Sequence, residues 1–271
     1  MTTPIAVTIA GSDSGGGAGI QADLKTFSAL GVYGASVIAA LTAQNTKGVM
    51  AIHDVPADFV TAQIDAVFSD LDVGAVKIGM LSQPAVIEAV ASGLARYKQS
   101  KIVLDPVMIA TSGDRLLAPQ AIAVLRDVLI RQALIITPNL PEAAALLDTV
   151  IAENEAEMAE QGEKLLALGA RAVLIKGGHG SGAESVDILV EPNATARLAA
   201  QRIDTPNTHG TGCTLSSAIA AGLAKGLDLG AAVRQAKAYV TAAIAASNQL
   251  AIGHGHGPVH HFHHWWNEDR T

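Results

Sequence analysis

LIITPNLPEAAALL, residues 134–147, changes character partway along its length. Leu134, Ile135 and Ile136 form an apolar run without alternation, the pattern of a short strand covered on both faces. Thr137-Pro138-Asn139 then breaks the run, and the residues after Pro141 read as a helix that Asn139 or Glu142 could cap. Strand, polar loop, helix is one half of a parallel crossover, and the same unit recurs on either side. Apolar runs lie at 5–10, 36–41, 75–78, 102–104 and 172–175. Helical stripes lie between them. Val60, Ile64, Val67 and Phe68 make one, and Ile87, Val90 and Leu94 a second, with Ser82 as its cap and Pro84 in its first turn. Ile122, Leu125 and Leu129 follow Pro119, and Met158, Leu165 and Leu166 come later.

Such alternation predicts an α/β protein: a three-layer α/β/α sandwich around a mostly parallel sheet. Segments 186–190 and 197–203 leave no room for a helix between them and predict an antiparallel hairpin at one edge. Two Ala-rich helices follow, at 212–224 and 229–246. No linker-like segment divides the chain, so residues 1–271 read as one domain with a His-rich tail at 253–271.

Composition narrows the function. The 271 residues carry 18 Lys+Arg against 25 Asp+Glu, a net charge of −7, which argues against nucleic acid or an anionic membrane as partner. With 49% apolar and 16% charged residues, the chain can bury a large core. Cys213 is the only cysteine, so no internal disulfide forms. Residues 26–46 are uncharged and long enough to cross a bilayer, but Gly31, Gly34, Thr42, Gln44 and Asn45 break them into a helix end, a turn and a strand. The N-terminus has no basic segment before its apolar run, and the expected location is the cytoplasm.

In a parallel sheet the loops after the strands hold the ligand. The first apolar run enters GSDSGGGAG at 11–19, which either lets a phosphate approach the backbone or makes a tight connection to a helix; it fits neither the P-loop nor the GxGxxG spacing. Residues 207–214, NTHGTGCT, lead into an Ala-rich helix. Free amides at that helix start, with the helix dipole, form an anion hole suited to a phosphoryl group in transfer. There the dipole would favour a Cys213 thiolate, unless Cys213 is an inert buried thiol. Asp105, whose neighbour Pro106 opposes a simple helix start, and Glu142 place two carboxylates after strands, enough with substrate phosphates for Mg²⁺. Lys176, directly after a buried run, suits phosphate neutralisation or a structural ion pair. Six of the nine histidines fall in GHGHGPVHHFHHWW at 253–266, with no zinc-like spacing, and Trp265 and Trp266 are expected to pin that tail by packing.

These segments, together with LTAQNT at 41–46, KIGML at 77–81, DPVM at 105–108 and KGGH at 176–179, resemble the bacterial hydroxymethylpyrimidine and phosphomethylpyrimidine kinases of thiamine biosynthesis. The tail departs from their pattern by one inserted Gly-His. The resemblance implies a ribokinase-like fold, ATP with Mg²⁺, successive phosphorylation of 4-amino-5-hydroxymethyl-2-methylpyrimidine and of its monophosphate, and a homodimer. By position it implies that Gln44 reads the pyrimidine edge, that Met80 and Val107 are apolar walls, and that Gly11 and Asp23 lie nearby. It likewise implies magnesium at Asp105, Asn139 and Glu142, ATP phosphates at Lys176, and an anion hole from Gly210, Thr211, Gly212 and Cys213. The wider superfamily usually places an aspartate base where Cys213 stands, which leaves the base open. Pyridoxal kinase activity and non-catalytic pyrimidine binding are the alternative readings. Residues 204–208 and the helix from Leu229 are candidates for adenine, and 179–185 for a closing segment.

Overall fold

The computed structural model describes residues 2–108, 117, 119–178 and 182–266. Strand β1 (Ile5–Gly11) leads through α1 (Gly19–Ala29) to β2 (Tyr33–Asn45), which folds back as β3 (Gly48–Asp54). Then come α2 (Ala57–Phe68), β4 (Ala75–Ile78), α3 (Pro84–Arg96), β5 (Ile102–Leu104), α4 (Pro119–Val124) and β6 (Ile135–Ile136). After α5 (Leu140–Leu147), α6 (Glu155–Ala167) and β7 (Val173–Lys176), the hairpin β8 (Glu184–Glu191) and β9 (Ala194–Gln201) precedes α7 (Thr211–Ala224) and α8 (Leu229–Ala245).

The strands form one sheet in the order β3-β2-β1-β4-β5-β6-β7-β8-β9. It is parallel from β2 to β7 and antiparallel at both edges. Only the β8–β9 edge was expected. β3 escapes a reading by burial because its middle residues, Met50, Ala51, Ile52 and His53, are all exposed, so no apolar periodicity marks it. Ser82 does not cap α3. Gln83 holds the cap position without a side-chain bond, and the hydroxyl of Ser82 instead meets Asp54 at the end of β3. The stripe after Pro119 is broken into α4, a π turn at Leu125–Leu129 and a 3₁₀ turn, with Leu125 and Leu129 still buried. Among the described residues no helix is long and apolar enough to cross a membrane.

Apolar strands alternate between two cores. Val7, Ile9, Val76, Ile78, Ile102, Leu104, Val173 and Ile175 pack with α2, α3, α5 and α6. Ala6, Ala75, Val103, Ile135 and Leu174 face α1, α7 and α8. The second face is small, which lets α7 come close. Every residue of α7 from Thr214 to Leu223 is buried, the polar Thr214, Ser216 and Ser217 among them, so the helix is enclosed on all sides.

Two residues further along the same strands, this small face turns polar. Thr8, Lys77, Asp105 and Thr137 are all buried there, under the first turns of α7. Lys77 Nζ lies 2.9 and 2.7 Å from the two oxygens of Asp23 on α1, and Thr8 and Ser217 donate to the same carboxylate at 2.6 Å each. Burial alone would lower the Lys77 ammonium; Asp23, with Cys213 and Asp105 further off, outweighs it and holds the pKa well above the usual lysine value. Breaking such a pair from one side strands a buried charge. Lys77→Met should therefore lower stability in urea by about 3–5 kcal/mol, and the double change Lys77→Met with Asp23→Leu should restore a large part of it. Additive losses in the double variant would refute the pairing.

Candidate active site

β1 is followed through α1 by β2 on one side, and the chain later returns with β4 on the other. The crevice at their carboxyl ends is where such a sheet takes ligands. Gly11 ends β1 there and donates its amide to the Met80 carbonyl at 3.2 Å. A Cβ on Gly11 would come within 2.6 Å of the Met80 methyl, so this thioether closes over the strand end. Gln44 belongs to the same wall. Its backbone N–H donates to Ser14 Oγ and its carbonyl accepts from the same hydroxyl, both at 2.8 Å, which ties the end of β2 to the glycine loop. Val107 follows β5, its amide turned back onto the Asp105 carbonyl at 2.8 Å.

Asp23 is not on that wall. It is fully enclosed beneath it, its carboxylate taken up by Thr8, Lys77 and Ser217, so no oxygen faces a ligand in the crevice. The glycine loop is likewise committed within the chain. The amides of Gly15, Gly17 and Ala18 converge on the Asp13 carboxylate at 2.8, 3.0 and 2.8 Å, and His209 Nε2 approaches it at 2.8 Å. Burial would raise the Asp13 pKa, but His209 and these amides hold it below the usual carboxylate range. The tight-connection reading holds for these three amides: the chain supplies its own anion to the nest.

Gly210, φ +80°, sets the start of α7. Only glycine serves there, because a Cβ would also run into the Gly17 carbonyl. Thr211 donates its amide to the Thr208 carbonyl at 3.2 Å. Among the described residues, no acceptor takes the amides of Gly212 and Cys213. Gly212 itself lies at the charged end of the sheet: a Cβ on it would lie 3.2 Å from Lys176 Nζ and 3.6 Å from Asp105 Oδ2.

Lys176 Nζ bonds Asp105 Oδ1 at 2.8 Å and lies 3.8 Å from Glu142 Oε2. Thr137 donates to the same Oδ1 at 3.1 Å, and the Ser216 hydroxyl lies 3.2 Å from Oδ2, sharing its one proton with the Gly212 and Cys213 carbonyls at 3.0 and 3.1 Å. Burial opposes the charge of Asp105, but Lys176 and then Lys77 prevail and keep its pKa below the ordinary value; Lys176 is correspondingly raised by Asp105 and Glu142 against its own burial. Glu142 is left short of positive charge. Burial, reinforced by Asp105, raises it to about 7 despite Lys176. Its other duty is local: Asn139 Oδ1 accepts from the Glu142 amide at 2.9 Å and Glu142 Oε2 accepts from the Asn139 amide at 2.8 Å, a reciprocal cap for α5. Asn139 is thus engaged as a cap, and the carboxylates at the cluster are Asp105 and Glu142.

Cys213 differs from expectation. Burial, with Asp23 and Asp105 nearby, pushes its thiol up to about 11 against the pull of Lys77, so the helix dipole does not yield a thiolate at neutral pH. Trp265 and Trp266 pin the tail less by packing than expected: both are largely exposed, Trp265 ties it to the body through its indole N–H, which donates to the Ala29 carbonyl at 3.2 Å, Trp266 stacks on Phe262, and Val259, His260 and His261 are the buried residues of the tail. The segment expected to close, 179–185, falls partly outside the described residues, at 179–181. Lys77, Ser216, Ser217 and the Asp13–His209 pair carried no role in the sequence reading. The signal was present as a lysine inside the apolar run AVKI and two serines inside an otherwise apolar helix.

Residues 13–260 match the family model for phosphomethylpyrimidine kinase. A hydroxymethylpyrimidine/phosphomethylpyrimidine kinase from Rhizobium meliloti is 62% identical over 98% of this chain and all of its own length. The crystal structure of a phosphomethylpyrimidine kinase from Clostridium difficile superposes with a TM-score of 0.79 at 49% identity, covering 89% of this chain and 99% of that one. An ADP complex of Bacillus subtilis pyridoxal kinase gives 0.91 at 37% identity, covering 98% of this chain and all of the other. Sequence over nearly the full length and the shared architecture agree, and the chain belongs to the phosphomethylpyrimidine kinase family, with its ribokinase-like fold.

Proposed function

We propose that this protein transfers the γ-phosphoryl group of ATP to the hydroxymethyl oxygen of 4-amino-5-hydroxymethyl-2-methylpyrimidine, and in a second turnover to the resulting monophosphate, as a cytoplasmic homodimer. Support rests on one juxtaposition: Gly212, at the start of α7 where two amides are left without an acceptor among the described residues, sits against the Lys176–Asp105 pair at the carboxyl ends of the strands. A phosphoryl group in flight spreads negative charge over its equatorial oxygens, and fixed amides with an ammonium stabilise that charge without reorganising. Lys176, kept charged by Asp105 and Glu142, supplies the ammonium. Gln44 reads the ring edge, with Met80 and Val107 as its apolar walls.

Proton removal has a small part. The transition state is loose, so the attacking hydroxyl need not be deprotonated beforehand, and in the second step the nucleophile is already a phosphate oxygen. A thiol with a pKa of about 11 is no base at neutral pH, and Cys213 contributes its amide and its bulk. Magnesium accompanies ATP in this reading, and the donor set suits it: Asp105 and Glu142 bring two carboxyl groups to one place beside Lys176, and Glu142, raised by burial with Asp105 adding to it, has room for more positive charge. When bound, the ion would neutralise charge on the β- and γ-phosphates, held by those two residues. The full-length match to a pyridoxal kinase at 37% identity favours pyridoxal as a second substrate.

ADP release measured with the aminopyrimidine, its monophosphate and pyridoxal is expected to rank the first two well above the third. Lys176→Ala should lower both pyrimidine steps by about 10²–10³-fold, as removal of one fixed oxyanion donor does; near-normal turnover in either step would remove Lys176 from the site. Cys213→Ala should slow both steps by a similar factor, below about tenfold, and leave the pH–rate profile in place. Loss of a limb from that profile would restore the thiol as a base.

Glu142 also links pH to stability. Between its ordinary value of 4.5 and about 7, the folded state keeps a proton that the unfolded chain has released, so stability contributed by this group falls as pH rises through that window. Glu142→Gln should then gain on the wild type in urea denaturation as pH is raised from about 5 to 8, by on the order of 1–3 kcal/mol, while losing activity. A constant difference across that range would contradict the raised pKa.

A further inference from the structure

The C-terminal tail crosses both ends of the site. His256 donates its amide to the Thr46 carbonyl at 2.9 Å, just past Gln44 and Asn45. A Cβ on Gly255 would run into Thr46 and one on Gly257 into Asn207, so these glycines lie close against the body while the alternating His254 and His256 stay exposed. The chain then pairs with residue 209: the His209 amide donates to the Gly257 carbonyl at 3.0 Å and the Val259 amide to the His209 carbonyl at 3.3 Å. Further on, Tyr239 OH donates to the His261 carbonyl at 2.7 Å and the His260 amide to the Ala243 carbonyl at 2.9 Å, which moors the tail on α8.

His261 points back from this strap into α7. Its Nε2 lies 3.0 Å from Thr214 Oγ1, and both residues are buried. Thr214 Oγ1 donates to the Gly210 carbonyl at 2.8 Å, and the Thr214 amide donates to the same oxygen at 2.9 Å. A hydroxyl has one proton; with that proton on the Gly210 carbonyl, the pairing assigns the N–H to His261 Nε2 as donor to Thr214. Burial, with Lys25 next, pushes His261 down to about 3, so the ring is neutral and has a single N–H to donate.

We propose that His261 is a positioning residue: through Thr214 it fixes the Gly210 carbonyl, and with it the direction of the Gly212 and Cys213 amides. The inference rests on the reading of 210–213 as the turn that holds the phosphoryl group. A relay of two hydrogen bonds, each partner buried, leaves the Gly210 peptide one orientation. The amides that follow it in the first turn inherit that orientation. Misplacing such donors by about 1 Å is enough to cost on the order of a hundredfold in rate.

The test compares His261→Leu, which lacks a donor, with His261→Gln, whose amide can still donate to Thr214. Steady-state kinetics of both phosphorylations are read beside hydrogen exchange of peptides spanning 209–216. His261→Leu should lower kcat about 10- to 100-fold with the pyrimidine KM within about threefold, and speed exchange at 210–214. His261→Gln should recover most of both. An unchanged kcat in His261→Leu, unchanged exchange, or a glutamine variant no better than leucine would overturn the proposal. If His261→Leu does not fold, Thr214→Ser, which keeps the hydroxyl, should match the wild type while Thr214→Val shows the kcat loss; equal behaviour of those two would overturn it as well. Lys176→Ala separates the two levels: full turnover there defeats the phosphate reading itself, whereas an inactive Lys176→Ala with an unaffected His261→Leu defeats only the positioning role.

Discussion

The site depends on a layer of charge enclosed between α7 and the sheet. Lys77 with Asp23, and Lys176 with Asp105, stand side by side under the first turns of one helix, and adjacent serines of that helix, Ser216 and Ser217, donate one to each pair. A buried ion pair is a weak source of stability, since desolvation consumes most of the attraction. Its value here is geometric. Apolar contacts would let α7 slide or rotate by a fraction of a turn with little loss, but two serine–carboxylate bonds at successive positions fix both its height and its rotation. The Gly210 turn, one turn earlier, is thereby set over Lys176.

Glycines do the complementary work by removing bulk where two loops must touch. Gly210 lies on the Gly17 carbonyl, and Gly17 packs against the ring of His209, so the loop after β1 and the turn before α7 close on each other. This contact decides what the glycine-rich loop is for. Its amides turn inward to Asp13, and the free amides of the site belong to the other loop. Composition alone makes the two loops look alike. What separates them is a carboxylate two residues after Gly11 that fills the first nest from within, whereas 210–214 contains no acid and leaves its donors open.

The strands and the order of elements were legible because burial on both faces leaves unbroken apolar runs, and each such run falls in a strand. β3 was not, since a strand exposed at the sheet edge has nothing to enforce a pattern. Positions 105, 142, 176 and 210–213 were legible because polar residues directly after buried strands, or glycines directly before a helix, require a reason. The state of Cys213 was not legible: the dipole argument sees only the start of the helix, whereas burial, with Asp23 and Asp105 far away in sequence, sets the thiol. Asp23 is likewise taken up by a distant partner, Lys77, while Asn139 pairs three residues away in the N-x-x-E cap that the sequence itself displays.

The same charge layer explains why a site so heavily paired can still act on an anion. Lys176 is held by Asp105 at 2.8 Å and by Glu142 at longer range, with its ammonium next to Gly212. A free lysine of that length would lose much side-chain entropy on gripping a phosphate, whereas this one has lost it on folding. The cost falls on Glu142, which burial, with Asp105 beside it, drives toward its neutral form despite Lys176. Folding therefore carries a penalty at the point where positive charge is wanted, so the fold is strained electrostatically in the direction that a cation-bearing phosphate chain relieves. Preorganised donors and an under-compensated carboxylate are two sides of one arrangement: the protein holds its cationic groups in place with more negative charge than they can balance.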